Sequence, residues 1–267
     1  MSESALSLQP HERIIYAVDT NDLGRAIELV DDLKGHVGAF KFGLEFGTNL
    51  FVSLLRGRDK QVAHDQLDRA RDLFDRLAGC VMWDWKFKDI PNTMRGAASG
   101  LADLGPELFT VHGSAGVRGI RAAVDGRAAS KVLVVTALTS LDEEECIASY
   151  GTGSWETVLR FAFMARDAGA QGIVCAPKDA EFFLTPERHE AFAGMEIVCP
   201  GIRPAWAAKG DQSAERIMTP GEAAKAGISR MVIGRPITNF PEKFHYPHEA
   251  ADLIAEEIAT ALGQTSL

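Results

Sequence analysis

The stretch Cys80–Thr93 reads CVMWDWKFKDIPNT, and the prediction of the fold starts from it. Its first four residues are apolar and predict a buried strand. Because side chains alternate along a strand, Asp84 and Lys86 are expected on one face at the strand tip. Asp89 follows in the loop, where Pro91 predicts an extended exit and the end of strand pairing. Charges beside a buried strand are costly, so we expect this tip to carry chemistry.

The unit formed by an apolar strand and a following helix recurs along the whole chain. Eight apolar runs are present: IIYAVD ending at Asp19, AFKFG around Lys41, VMWDWK, LFTVH ending at His112, VLVVTALT ending at Thr139, GIVCA near Cys175, EIVCP near Cys199 and RMVIG ending at Gly234. Helical spacing occurs at Asp22–Leu33, Met94–Leu104, Ala115–Val124, Trp155–Ala168, Pro220–Ala226 and Glu249–Leu262. Near-continuous apolar strands that alternate with helices are typical of a parallel sheet, and eight such units predict an α/β fold, a single (β/α)8 TIM barrel.

The predicted organisation is one domain over residues 1–267, since no Gly/Ser-rich linker and no shift of composition divides the chain. We expect residues 1–12 to form a flexible tail. The highly charged stretch Arg56–Gly79 predicts an extra helix or loop before the third strand. A charge run of this kind is usually a solvated face, and a lid or partner surface is the alternative.

Composition excludes several classes of protein. The net charge of -9 and the pI near 5.3 argue against general binding to nucleic acid or to an anionic membrane. No apolar run approaches the roughly 20 residues that span a bilayer, and the polar start MSESALSLQPHER does not resemble a signal peptide. The four cysteines lack CxxC spacing and are expected to be reduced core residues. These features predict a cytoplasmic location.

Polar residues close several of the apolar runs. In a (β/α)8 barrel the chemistry gathers at the carboxyl ends of the strands, so these residues are the candidate site groups. They are Asp19, Lys41, Asp84, Lys86, His112 and Thr139, followed by Arg203 in PGIRP and Arg235 in IGRP. A histidine at a strand end is more often a satisfied core group, and we leave His112 out of the predicted site.

The run DWKFKDIPNT strongly resembles the signature of the orotidine 5'-phosphate decarboxylase family, Asp-x-Lys-x-x-Asp-Ile-Pro-Asn-Thr. Further blocks resemble the family in the same order: YAVD, FKFG, VTALTS, CPGIRP followed by GDQ, and VIGRPI. The resemblance extends from about Arg13 to Ala261. A lone DxKxxD motif would be weak support, whereas six ordered blocks are specific.

The resemblance implies a role for each matching residue. Lys41, Asp84, Lys86 and Asp89 would form an alternating charge network, with Asp89 and Thr93 given to the pocket of a neighbouring subunit in a homodimer. Asp19 and Lys41 would hold the ribose hydroxyls, and Thr139 would contact the pyrimidine ring. The phosphate contacts would be Arg203, Gln212, Gly234 and Arg235. The physical argument for Arg235 is independent, because a phosphate dianion favours a forked, permanently charged donor near backbone N–H groups.

The chemistry implied is the decarboxylation of orotidine 5'-phosphate to uridine 5'-phosphate and CO₂ in pyrimidine biosynthesis. The sequence shows no Schiff-base, thiamine or flavin motif, so we expect no cofactor and no metal. A lysine ammonium at Lys86, held by Asp84 and Asp89, would then stabilise the carbanion and donate the proton to it.

Two alternatives remain open from the sequence. A Mg²⁺-dependent sugar-phosphate decarboxylase or aldolase of the same barrel superfamily needs an acidic ligand where this chain has Lys41, although Glu45 lies close in sequence. A barrel that binds nucleotide without catalysis is the second, since fold alone does not fix function. A buried ion-pair cluster without a catalytic task would also account for the charges.

Overall fold

The computed structural model describes residues 8–56, 60–185, 190–207, 218–242 and 244–264 of the chain. Eight parallel strands close into a barrel in which each strand pairs with the next in chain order and the last pairs with the first. The predicted (β/α)8 TIM barrel is therefore confirmed. The strands are β1 (Ile14–Ala17), β2 (Ala39–Gly43), β3 (Val81–Phe87), β4 (Leu108–His112), β5 (Lys131–Val135), β6 (Gly172–Val174), β7 (Glu196–Pro200) and β8 (Arg230–Ile233).

Helices connect the strands and surround the barrel. They are α1 (Leu23–Leu33), α2 (Leu44–Arg56), α3 (Lys60–Arg76), α4 (Pro91–Ala102), α5 (Gly116–Gly126), α6 (Glu143–Tyr150), α7 (Ser154–Ala168), α8 (Pro177–Phe183), α9 (Pro220–Ala226), α10 (Arg235–Thr238) and α11 (Pro247–Ala261). The helix α9 has the predicted bounds, whereas α4 begins three residues before the predicted Met94 because Pro91 is well suited to the first helical position.

The barrel interior is built in layers of inward-facing side chains. Its middle consists of apolar residues, most of them small or branched: Ile15, Ala17, Ala39, Met82, Leu108, Leu133, Val198 and Val232. Because side chains alternate along each strand, the residues two positions further on also face inward. Lys41, Asp84 and Thr110 therefore form the next layer toward the carboxyl ends of β2, β3 and β4.

A buried ionic cluster occupies the opposite, amino-terminal end of the barrel. Arg230 Nε lies 3.2 Å from Glu196 Oε2, and both side chains are almost fully buried. Lys131 also donates to Glu196, and the Arg230 guanidinium pairs with Glu107. Burial alone would lower the pKa of Arg230, but Glu196 and Glu107 raise it above its ordinary value. The charges at this end thus pair with one another, although Glu196 Oε2 and Arg230 Nε make no hydrogen bond. They lie away from the carboxyl ends of the strands.

The charged stretch Arg56–Gly79 begins at the last residue of α2 and contains α3, with residues 57–59 outside the described part. The end of α3 is fixed against α1, because Arg76 pairs with Asp31 and Lys34 Nζ donates to the Arg76 carbonyl oxygen at 2.9 Å. This helix therefore packs along the barrel wall over its last turn.

The cysteine prediction needs one correction. All four cysteines are free, and Cys146, Cys175 and Cys199 are buried as expected, but Cys80 is exposed. It lies just before β3, after the Gly79 turn, and so does not enter the core. Within the described ranges, no helix is both long and apolar enough to cross a bilayer.

Candidate active site

A cleft of about 530 Å³ opens at the carboxyl ends of the strands. Most of the residues predicted for the site line it: Asp19, Lys41, Asp84, Lys86, Thr139, Arg203, Gly234 and Arg235. Acidic and basic groups from β1, β2 and β3 lie at one side of this cleft, and the two arginines come from the segments that follow β7 and β8. The volume is that of a typical small-molecule site.

The charged side of the cleft is an alternating chain of carboxylates and ammonium groups. Lys86 Nζ donates to Asp84 Oδ2 at 2.9 Å, and Lys41 Nζ lies 3.7 Å from the same oxygen and 3.4 Å from Asp19 Oδ1. The side chains of Lys41 and Asp84 are each 13% exposed, whereas Lys86 is 32% exposed. The ammonium of Lys86 is therefore the more accessible of the two from the cleft.

Strand β3 is irregular at this point. Trp83 pairs with Phe109 and Phe87 pairs with Val111. Between these pairs the chain advances four residues along β3 but only two along β4. Lys86 lies within this bulge with a φ of 49°, a conformation that costs a residue with a side chain about 1–3 kcal/mol. Strain at a residue that lines the cleft is typical of functional sites.

Thr110 of β4 was missed by the sequence analysis. Its hydroxyl donates to Asp84 Oδ1 at 2.9 Å and accepts the Lys86 backbone N–H at 2.9 Å. The available signal was a single hydroxyl in the otherwise apolar run LFTV, two residues after the inward-facing Leu108. The contact partners on β3 could not be deduced from that signal.

The other side of the cleft is lined by two arginines and by Gly234. Arg203 is held by its backbone N–H, which donates to the Met218 carbonyl oxygen at 3.0 Å, and Arg235 begins α10. At Gly234 a Cβ would lie 3.2 Å from Ala17 Cβ, so a glycine lets the end of β8 approach β1 closely. Trp206 and Asn239 also line the cleft and were not predicted. Gln212 lies outside the described residues.

Asp89 and Thr93 do not line the cleft of their own chain. Both are exposed, and Asp89 Oδ1 accepts the backbone N–H of Ile90 at 2.6 Å. Ile90 between them is 66% exposed, although it is a large apolar residue. The loop after β3 and the first turn of α4 thus present a carboxylate, an apolar side chain and a hydroxyl to the surface.

His112 at the end of β4 is a buried, neutral group. Its Nδ1 accepts the Ser114 backbone N–H at 3.1 Å. Its ring stacks on that of Tyr150, with an angle of 26° between the two ring planes. Burial and the nearby Lys88 and Lys86 lower its pKa to about 4. The structure thus places His112 in the core and not in the cleft lining, as predicted.

Among the residues that the structure describes, no three His, Cys, Asp or Glu side chains come together as a metal site. Glu45, the acidic residue considered as a substitute ligand, is exposed in the first turn of α2 and does not line the cleft. The Lys41 ammonium lies between the two carboxylates Asp19 and Asp84, where it would repel a divalent cation.

Comparison with known proteins gives a consistent result. Residues 12–243 match the sequence model of the family described as orotidine 5'-phosphate decarboxylase / HUMPS family. A protein of Moorella thermoacetica named orotidine 5'-phosphate decarboxylase is 36% identical, with 96% of each chain covered. A protein of the same name from Paramagnetospirillum magneticum is 37% identical over 92% of this chain and 97% of the relative.

Solved structures are similar as well. The crystal structure of orotidine 5'-phosphate decarboxylase from Lactobacillus acidophilus matches with a TM-score of 0.69 and 28% identity, covering 92% of this chain and 98% of that one. The orotidine 5'-phosphate decarboxylase structure from Pyrococcus horikoshii has a TM-score of 0.65 at 22% identity and supports the fold alone.

Proposed function

The chain belongs to the orotidine 5'-phosphate decarboxylase / HUMPS family, and from that premise we propose that it converts orotidine 5'-phosphate to uridine 5'-phosphate and CO₂ without a cofactor. This is a carboxy-lyase reaction of pyrimidine biosynthesis. The observation that carries the proposal is the Lys41–Asp84–Lys86 charge cluster at the carboxyl end of the barrel. Such a cluster is expensive to maintain in a part-buried site that has no chemical task.

Substrate binding is proposed to start at the phosphate. Arg203, Gly234 and Arg235 line the cleft opposite the charge cluster and supply guanidinium and backbone donors. Gln212, which lies outside the described residues, is proposed as a further phosphate contact from the family resemblance alone. Lys41 and Asp19 then hold the ribose hydroxyls, and Thr139 contacts the pyrimidine ring. Binding energy gained at the phosphate is used to fix the reacting ring against Lys86.

The proposed chemistry uses the Lys86 ammonium twice. When the bond between the ring carbon and the carboxylate breaks, CO₂ departs and the electron pair stays on the ring carbon. The positive charge of Lys86 stabilises this pair, and a proton then moves from Lys86 Nζ to the carbon to complete the product. The neutral amine then regains its proton from solvent, since the Lys86 side chain is 32% exposed in the open cleft.

Asp84 is proposed to orient both ammonium groups. Its Oδ2 lies within 3.7 Å of both Lys41 Nζ and Lys86 Nζ, so the two cations share one counter-charge. The same carboxylate would face the departing carboxylate of the substrate, and repulsion there would favour loss of CO₂. The contacts with both ammonium groups support the orienting role.

A homodimer with shared sites is proposed from the loop after β3. Asp89 and Thr93 are exposed in the isolated chain and lie outside its cleft, which suits residues that complete the site of a neighbour. Large exposed apolar side chains are available for the contact: Ile90 in this loop, and Leu44, Phe51 and Leu55 on α2. In this arrangement Asp89 would complete the charge network beside the partner's Lys86.

The remaining proposals concern partners and place. The acidic chain is proposed to act on this small molecule and not on nucleic acid or membranes. Its free cysteines suit a reducing compartment, and we propose the cytoplasm.

Decarboxylation of orotidine 5'-phosphate by the purified chain, with a chelator in excess, tests the proposal. We expect full turnover with and without the chelator. Loss of activity in the chelator that Mg²⁺ restores would favour the sugar-phosphate class of enzyme. Tight binding of uridine 5'-phosphate without any turnover would favour a binding protein.

A further inference from the structure

We infer that Thr110 is a positioning residue for this reaction, because its hydroxyl holds the Asp84 carboxylate and the Lys86 backbone in one fixed arrangement. The inference rests on the proposed function for its effect on turnover, although the contact itself does not. Thr110 has no exposed surface and does not line the cleft, so it would act only through the two residues that it binds.

The hydroxyl uses both of its hydrogen-bonding abilities. It has one proton to donate, and that proton is directed to Asp84 Oδ1 at 2.9 Å. One of its lone pairs accepts the Lys86 backbone N–H, also at 2.9 Å. The other carboxylate oxygen of Asp84, Oδ2, binds Lys86 Nζ at 2.9 Å. The backbone of Lys86 is thus tied to the Asp84 carboxylate through Thr110, and the side chain of Lys86 binds the same carboxylate directly.

The bulge in β3 explains why such a contact is needed. Between the pairs Trp83–Phe109 and Phe87–Val111, β3 carries two more residues than β4, so ordinary ladder hydrogen bonds cannot continue there. The Lys86 N–H would lose its partner within the sheet, and the residue adopts a φ of 49° that its side chain does not favour. The Thr110 hydroxyl takes the place of the missing backbone acceptor and holds the strained residue.

This geometry decides where the ammonium points. A lysine side chain has four rotatable bonds, and its position is reproducible only if its backbone and its counter-ion are both fixed. Thr110 fixes both from a single, fully buried atom. Without the hydroxyl, we expect the Asp84 carboxylate to rotate and the bulge to relax, which would displace Lys86 Nζ from the reacting carbon.

Three variants separate this role from a general loss of stability. Thr110→Val keeps the shape of the side chain and removes the hydroxyl, whereas Thr110→Ser keeps the hydroxyl. Thr136→Val is the matched control, because Thr136 is also fully buried and its hydroxyl donates to the Val174 carbonyl oxygen at 2.9 Å, away from the charge cluster. Turnover of orotidine 5'-phosphate, binding of uridine 5'-phosphate and hydrogen exchange at the Lys86 amide are measured on each.

For Thr110→Val we expect kcat to fall roughly 10- to 100-fold while the Kd for uridine 5'-phosphate changes by less than about threefold, because only the reacting group is misplaced. Thr110→Ser should recover most of the loss, and Thr136→Val should keep the kcat of the wild type. Hydrogen exchange at the Lys86 amide should be at least about tenfold faster than in the wild type in Thr110→Val, and in neither of the other two variants.

Equal kcat values in Thr110→Val and Thr136→Val would overturn the inference, and so would unchanged exchange of the Lys86 amide. Absence of turnover in the wild-type chain would instead contradict the proposed function. The exchange measurement would still decide whether Thr110 holds the bulge.

Discussion

Asp84 is the residue that Thr110, Lys86 and Lys41 all contact. Each of its carboxylate oxygens has a separate partner, with Thr110 on Oδ1 and Lys86 on Oδ2, and Lys41 approaches the second oxygen as well. A carboxylate held on both sides cannot turn to follow a ligand. The cations around it therefore stay in place before the substrate arrives, which is the condition for electrostatic stabilisation of a transition state.

Arg235 is expected to bind the phosphate and nothing else of the ligand. In Arg235→Gln, loss of a charge-assisted hydrogen bond worth about 1.5–3 kcal/mol should raise the Kd for uridine 5'-phosphate roughly 10- to 150-fold. Titration calorimetry of the wild type and the variant measures the change.

Uridine, which lacks the phosphate, is the control ligand for that experiment. Its affinity should change by less than about threefold in Arg235→Gln, because the remaining contacts are untouched. An equal loss of affinity for uridine would assign Arg235 to the general structure of the cleft.

At the scale of single elements, β3 shows how far the sequence predicts the structure. Its apolar first half and charged tip are visible in the sequence, and Asp84 and Lys86 meet as the alternation of side chains predicted. The bulge between them was not predictable, because a positive φ at a lysine has no local signature. It depends on Thr110, which lies 24 residues further along the chain.

The connections were harder to predict than the strands for a related reason. Pro91 was interpreted only as the end of strand pairing, yet it also begins α4, since proline lacks the N–H that a first helical residue does not need. The exposure of Cys80 was missed because one apolar run was assigned wholly to the core. Local patterns thus fixed the order of elements, and tertiary contacts fixed their ends.

The start of α11 is held to α1 by a histidine–aspartate pair that should depend on pH. His248 Nδ1 lies 2.8 Å from Asp32 Oδ1, and this hydrogen bond raises the pKa of His248. A raised pKa in the folded state means that the pair stabilises the protein below the ordinary histidine value of about 6.5. That contribution is lost as the pH rises through the higher pKa of the folded state.

In His248→Gln, the free energy of unfolding in urea should therefore be lower than in the wild type at pH 5.5, by at most about 1 kcal/mol because the pair is part exposed. The difference should shrink at pH 9. His64→Gln is the control, since its pair with Asp68 on α3 is well exposed. A deficit in His248→Gln that is equal at both pH values would contradict the assignment.

At the scale of the whole molecule, the two ends of the barrel carry charge for different reasons. In the ionic cluster at the amino-terminal end, the side chains of Glu196 and Arg230 are almost fully buried and pair with each other. The cluster around Asp84 faces a cleft and is flanked by a strained lysine. An apolar middle layer separates the two charged clusters. Side chains at the carboxyl end can therefore differ to suit a reaction without loss of the barrel fold.

The proposed sharing of sites across a homodimer predicts complementation. Lys86→Ala and Asp89→Ala should each be nearly inactive alone. After the two are unfolded together and refolded, half of the dimers should be mixed, and each mixed dimer should contain one intact site. Activity should then return to about a quarter of the wild-type value.

Refolding each variant alone is the control for complementation and should recover no activity. Sedimentation of the wild type should show a dimer. Failure of the mixture to regain activity, or full activity of Asp89→Ala by itself, would show that each chain completes its own site.

The central claim is that a fixed ammonium at Lys86 does the work of a cofactor. The most direct measurement is kcat for orotidine 5'-phosphate in chelator for Lys86→Ala beside Lys88→Ala, an exposed lysine outside the cleft. We expect kcat to fall by at least about 10⁴-fold in Lys86→Ala, with binding of uridine 5'-phosphate retained, and to stay within about twofold of the wild type in Lys88→Ala. A kcat for Lys86→Ala within about tenfold of the wild type would contradict it.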